Sequence, residues 1–259
     1  MKISHVTADS LAAAPGIRHA FLSRDGGVSR GIYAGLNCGL GSDDDPGHIQ
    51  ENRARAAQTV GVETHHLRTL YQVHSANVID ADHCYVDATP HADALVCTTP
   101  EIAIGVLAAD CAPVLLADPQ ARVIGAAHAG WRGALGGIIE STIELMRDYG
   151  ANIENINCAI GPCIGKGSYE VGAEFMDKFI ENSDNNNKFF KTSSIPGKFF
   201  FDLSSYTFCR LKAMGVSQIS QLDFDTCSDQ DRFFSYRRYM VNSEEDFGRG
   251  ISLIGITDK

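Results

Sequence analysis

Three residues capable of binding a metal each sit at the end of an apolar, strand-like run. His74 follows Leu70-Tyr71-Gln72-Val73, Cys111 closes Ala109-Asp110-Cys111, and His128 opens His128-Ala129-Gly130-Trp131-Arg132-Gly133. One thiolate and two imidazoles form the donor set of a zinc site with a fourth position open to water or substrate, whereas a structural zinc normally takes four protein ligands. The spacing is not that of a zinc finger, so the three can meet only through folding. Taken singly, His74 reads as an ordinary strand-end histidine and Cys111 as a small buried apolar residue. His128 is harder to dismiss, because a strand running into a Gly-rich turn has little structural use for an imidazole. Sulfur with nitrogen donors suits zinc. Copper with a weak axial ligand is the rival, but four-copper chemistry needs many paired histidines, and the nine present include no His-x-His pair.

Other residues extend this candidate centre. Gly130-Trp131-Arg132-Gly133 opens a helix, so backbone N–H groups and the helix dipole would face an anion there, with Arg132 adding forked hydrogen bonds. The alternative is that the glycines serve close packing. Arg53 lies on the apolar stripe Ile49, Ala56 and Val60 of a helix, which is costly without a partner, so it is either in an ion pair or in contact with a ligand. Asp110 and Glu170 are the acid–base candidates; each could equally be a cap or an arginine partner. Arg237 and Arg238 lie among Phe233, Phe234, Tyr236 and Tyr239, where an exposed basic pair and one buried arginine are equally good readings.

The elements that must position these residues follow from periodicity and turn chemistry. Asp45-Pro46 caps a helix running to about Val60, with Gly61 as its stop. Strands are expected over 70–79, 93–98, 102–107, 114–117 and 123–127, the last two joined by Asp118-Pro119-Gln120. A 3.6-residue period predicts one helix from Trp131 to Tyr149. A strand over 156–160 precedes a helix over 171–180. The polar, Asn-rich segment 181–198 reads as a loop insertion. A helix over 203–214 and strands near Ile219, Phe233 and Ile251 complete the chain. Without strict βαβ alternation, the expected class is α+β: a single domain with mixed β-sheets flanked by helices.

Bulk properties narrow the function. The 259 residues suffice for one large domain, and 44% hydrophobic with 21% charged residues is ordinary globular composition. A net charge of -10 disfavours nucleic-acid binding. The start carries no apolar secretory run and no stretch approaches the roughly 20 residues needed to span a bilayer, so a cytoplasmic protein without membrane partners is expected. The eight cysteines are then read as reduced thiols, with no Cys-x-x-Cys pair among them.

Several stretches together resemble the YfiH/YlmD-like proteins, also called laccase-domain or multicopper polyphenol oxidase-like proteins. They are Ser23-Arg24-Asp25-Gly26-Gly27-Val28-Ser29, Glu51-Asn52-Arg53, Gln72-Val73-His74, Asp93-Ala94-Leu95-Val96 and Ala109-Asp110-Cys111-Ala112-Pro113-Val114-Leu115. Ala127-His128-Ala129-Gly130-Trp131-Arg132-Gly133, Ile160-Gly161-Pro162-Cys163-Ile164, Tyr169-Glu170-Val171-Gly172 and Phe233-Phe234-Ser235-Tyr236-Arg237-Arg238 continue the match in order. The segment Phe247-Gly248-Arg249 departs from the expected Thr-Gly-Arg.

The resemblance implies one domain over residues 1–259, with zinc on His74, Cys111 and His128. It implies phosphorolysis of inosine, adenosine or guanosine to free base and ribose 1-phosphate. Adenosine deamination, methylthioadenosine phosphorolysis and a role in peptidoglycan editing accompany it. Arg24, Arg53, Gln72, Arg132 and Arg237 would bind substrate, Asp110, Cys111 and Glu170 would serve catalysis, and the protein would be a monomer or homodimer. Two enzymatic rivals keep the same residues: a Cys111/His128 hydrolase or deamidase, and a copper-dependent polyphenol oxidase. A non-enzymatic nucleotide or muropeptide binder is the third.

Overall fold

The computed structural model of the protein describes residues 3–83 and 89–257. In chain order, its first part runs β1 (His5–Val6), α1 (Asp9–Ala12), β2 (Ile17–Leu22), α2 (Pro46–Thr59), β3 (Leu67–Arg68), β4 (Val78–Asp80) and β5 (Ala94–Cys97). The middle contains β6 (Ala103–Ala108), β7 (Ala112–Asp118), β8 (Val123–Ala129), α3 (Trp131–Gly136), α4 (Ile138–Asp148) and β9 (Asn157–Ile160). The last part holds β10 (Glu170–Gly172), α5 (Ala173–Asn182), β11 (Phe190–Thr192), β12 (Lys198–Phe201), α6 (Leu203–Ala213), β13 (Gln218–Gln221), α7 (Tyr236–Asn242) and β14 (Gly250–Ile256).

Two mixed sheets stack face to face. One has the order β1-β2-β14-β6-β3 and the other β13-β9-β7-β8-β5-β4. Every residue of β7 and β8 is buried, as a strand covered on both faces requires. Along β7, Val114 and Leu116 face α4 and α6, while Leu115 and Ala117 face Phe21, Ile104 and Ile254 of the other sheet. The outer face of the five-stranded sheet is covered by Ala56 and Ala57 of α2 and by Val60 just past its end. The class is therefore α+β with mixed sheets flanked by helices. No helix among the described residues is long and apolar enough to cross a membrane. The seven described cysteines are free; Cys84 lies outside the described residues.

Four expectations from the sequence are corrected. The strand over 70–79 is broken: the N–H groups of Val73, His74 and Ser75 turn to the Asp93 carboxylate instead of a neighbouring strand. The helix over 131–149 is two helices, because Gly137 adopts a left-handed conformation at φ 99°. The stretch 181–198 is not a loop: it forms a 3-10 turn and β11, which pairs with β12. Phe189, Phe190 and Phe201, easily missed among the asparagines, pack on Phe179 and Tyr206. Phe233 is buried but lies in irregular chain, just before Ser235 caps α7 by accepting the Arg238 N–H.

Candidate metal centre

The register of the six-stranded sheet builds the site. In β7 and β8, Ala112 pairs with Ala129 and Pro113 with His128, so Cys111 lies opposite Gly130 just beyond the pairing. In β5 and β8, Ala94 pairs with Ala127, which sets Asp93 across from His128. Between β6 and β7 the chain passes from one sheet to the other, and the left-handed Asp110 (φ 88°) makes the bend that delivers Cys111. Asp is among the residues that tolerate this conformation.

His74, Cys111 and His128 each present one ligand atom, and these atoms lie within 4.8 Å of one another. Cys111 Sγ is 3.8 Å from His74 Nε2. The two imidazoles meet edge to face at 4.9 Å between centroids. His128 is buried and His74 is exposed, so the group opens to solvent on the His74 side.

Asp93, fully buried, organises both histidines. Its Oδ1 lies 2.9 Å from His128 Nδ1, which leaves Nε2 to face the centre. The same carboxylate accepts the backbone N–H groups of Val73, His74 and Ser75 and the Ser75 hydroxyl. Burial works against its charge, but the hydrogen bonds from His128 and Ser75 outweigh this and bring its pKa down to about 2. A carboxylate behind a ligating imidazole fixes the tautomer and raises ligand basicity.

Without a metal the electrostatics already favour a thiolate. Burial alone would push the Cys111 thiol up, yet the charge of His128 and hydrogen bonds from both histidines bring it down to about 6. Burial opposes the charge on His128 as well, but Cys111 and Asp93 push it up to about 9. Gly130 supplies the necessary space: a Cβ there would stand 2.8 Å from His74 Cδ2 and 3.0 Å from Cys111 Sγ. The soft and borderline donors, the carboxylate behind His128 and the space kept clear by Gly130 all fit a metal ion.

The remaining candidates divide by what they touch. Asp110 is buried and accepts from Thr226 Oγ1, Ser235 Oγ and the Arg237 N–H, so it anchors the start of α7 beside Cys111. Burial raises its carboxyl against those hydrogen bonds. Glu170 turns instead to the Ser193 hydroxyl at 2.5 Å. Gln72 spends its amide on both backbone groups of Leu107, 2.7 Å each, extending the edge of β6. Arg24 donates to the Ala34 and Gln230 carbonyls, and Arg53 to the Cys38 carbonyl and Thr69 hydroxyl. Arg132 is exposed, with its guanidinium 4.7 Å over the Trp131 ring. Arg237 donates to the Glu170 carbonyl at 2.9 Å, with its guanidinium 5.5 Å over Tyr169. Arg237 and Arg238 are both half-buried.

The sequence reading missed Asp93 and Tyr169 as functional candidates. Asp93 opens an ordinary apolar strand in the sequence, and its role emerges only once β5 is paired with β8. Tyr169 lies where the charges of Cys111, Arg237, Asp110 and Arg132 all act on its phenol, after burial the main influences on it.

The sequence profile of the family described as multi-copper polyphenol oxidoreductase laccase matches residues 18–257. The chain belongs to this family. It is 40% identical over 222 residues to a protein of Deinococcus radiodurans named purine nucleoside phosphorylase, covering 86% of this chain and 84% of that one. A Pseudomonas aeruginosa protein of the same name is 35% identical over 242 residues, 93% of this chain and 94% of its own. Among solved structures, a Neisseria meningitidis family protein superposes with a TM-score of 0.88 at 34% identity, covering 98% of this chain and 99% of that one. Bacillus licheniformis YfiH does so at 0.86 and 28% identity, with 93% of each chain covered. The family's description speaks of several coppers. Among the described residues, however, His74, Cys111 and His128 are the one such group able to hold a metal, and they offer a single ion three donors.

Proposed function

We propose that this protein is a zinc-dependent purine nucleoside phosphorylase, converting inosine, adenosine or guanosine plus phosphate to free base and ribose 1-phosphate. The observation that carries this reading is the convergence of His74, Cys111 and His128, in a chain whose relatives bear that enzyme's name. Adenosine deamination and methylthioadenosine phosphorolysis are proposed as side activities of the same pocket. A zinc ion held by the three side chains supplies Lewis acidity toward a substrate oxygen.

In the reaction a phosphate oxygen bonds to the anomeric carbon of ribose. The glycosidic C–N bond breaks with its electron pair passing to the purine, which takes up a proton at a ring nitrogen. Of the two acid–base candidates, Asp110 adjoins Cys111 while Glu170 turns to Ser193, so we assign the proton to Asp110. Burial raises the proton affinity of that carboxyl, as a general acid needs, while Thr226, Ser235 and the Arg237 N–H fix its orientation. Incubation with inosine should release hypoxanthine only when phosphate is present, and Cys111→Ala should abolish both turnover and bound metal. Release of base without phosphate, or no release at all, overturns this reading.

A second reading has its own observation. Asp93, His128 and Cys111 form a chain of acid, base and nucleophile, the pattern of a cysteine hydrolase or deamidase. It requires amide hydrolysis by metal-free protein; zinc copurifying at about one equivalent and needed for turnover excludes it.

A further inference from the structure

We infer that inorganic phosphate is held beside the His74–Cys111–His128 group by a three-part cradle: the guanidinium groups of Arg132 and Arg237 and the hydroxyl of Tyr169. This rests on the phosphorolysis reading and names the residues of its second substrate.

The other arginines around the site are committed elsewhere. Arg24 grips the carbonyls of Ala34 and Gln230. Arg238 grips those of Thr226, Cys227 and Phe233. Arg53 holds the Cys38 carbonyl and Thr69 hydroxyl. Arg237 differs: only its NH1 nitrogen is engaged among the described residues, by Glu170 at 2.9 Å and Ser168 at 3.5 Å. Arg132 rests on the Trp131 ring and spends no donor among the described residues. Both therefore keep N–H edges of the kind that grips phosphate in forked fashion.

Their location follows from the chain. The Arg237 backbone N–H is bonded to Asp110 Oδ2, one residue from Cys111. Arg132 lies four residues beyond His128, on the helix that opens at Gly130. Tyr169 and Trp131 both pack on Phe175, at 5.8 and 4.8 Å between ring centroids, and Phe201 holds the Tyr169 ring edge to face at 5.8 Å. The Arg237 guanidinium lies over that ring, and the charges of Cys111, Asp110 and Arg132 also act on the phenol. A hydroxyl on a clamped ring, under one guanidinium and in the same aromatic cluster as the Trp131 ring that carries the other, is a pre-positioned neutral donor for an anion; placement before binding is what reduces the cost of binding. Cys111 and Asp110 act on the same phenol with negative charge, so the two guanidiniums are what offsets that charge for an incoming phosphate.

The test uses Tyr169→Phe, which keeps the ring and removes the hydroxyl, and Arg132→Gln at an exposed position. Inosine phosphorolysis is followed while phosphate is varied. In parallel, melting is recorded in inorganic phosphate and in chloride of matched ionic strength, with metal content measured for each protein. The cradle predicts a phosphate KM raised on the order of tenfold in each variant, an inosine KM within about twofold, and unchanged metal content. Phosphate should raise the melting temperature of the wild type and do so less in both variants. Unchanged phosphate KM in an active variant pair, or no phosphate-specific stabilisation of the wild type, overturns the cradle and leaves phosphorolysis standing. Phosphate stabilisation that the variants lose, in a wild type that releases no base, keeps the cradle and removes the proposed reaction.

Discussion

Asp93 Oδ1 lies 2.9 Å from His128 Nδ1, and the carboxylate that makes this bond also accepts the backbone N–H of His74. One buried acid thus sets the ring of one histidine and the chain conformation of the other, which takes φ 60°. Weakening it should disturb both ligands together. Asp93→Asn keeps an oxygen for the backbone but loses the charge that polarises the imidazole. Zinc affinity measured by chelator competition is expected to fall about 10- to 100-fold. Affinity equal to that of the wild type would show that Asp93 only supports the fold.

Gly130 tests the space around the ligands separately from the ligands themselves. Its backbone, at φ -68° and ψ 162°, is accessible to alanine, so Gly130→Ala adds no backbone strain. The added methyl meets His74 and Cys111 at 2.8 and 3.0 Å. Bound metal per chain, by elemental analysis, should drop well below that of the wild type. The melting temperature of metal-stripped protein should change by only a few degrees. Full metal occupancy would mean that the ligands can move aside.

Phe179 links the polar stretch after α5 to the metal side of the molecule. It is fully buried and contacts Trp131, Phe175, Phe190, Phe201 and Tyr206. Phe179→Ala is expected to cost about 3–5 kcal/mol in urea unfolding, from lost burial plus the cavity left behind. A loss under about 1 kcal/mol would show that the cluster collapses around the gap, with little effect on stability.

His19 makes stability depend on pH away from the centre. It is buried, and its Nε2 accepts the Ala8 N–H. Burial first, and His5 second, lower its pKa from 6.5 to about 4. Between those values the unfolded chain binds the proton more readily, so the native state loses stability as pH falls from 6.5 to about 4. The full contribution is present above 6.5, with an upper bound of about 3 kcal/mol. Unfolding midpoints for wild type and His19→Gln should converge as pH drops across this window. A constant gap between them would rule His19 out as the source.

Much of the fold is visible in local pattern. The Asp45-Pro46 start and Gly61 stop of α2 appear where capping chemistry places them. The apolar runs of β5 to β9 are strands because few other conformations bury such residues on both faces. Local pattern misleads where a distant partner decides. The run over 70–79 has strand composition, but Asp93 takes its N–H groups. Periodicity runs unbroken through Gly137, yet a single left-handed residue turns the helix. In 181–198 the asparagines hide phenylalanines whose partners are on other elements.

Residue type alone marks the donors: His74, Cys111 and His128 stand out against an apolar background, and type is a property of the chain. Their convergence to within 4.8 Å was decided by tertiary structure, through the pairing of β5, β7 and β8 and the bend at Asp110. So were the roles of Asp93, Gly130 and Tyr169, and the division of the arginines into those spent on carbonyls and those with donors to offer. Strand register and side-chain hydrogen bonding join residues far apart along the chain, and no local spacing records them.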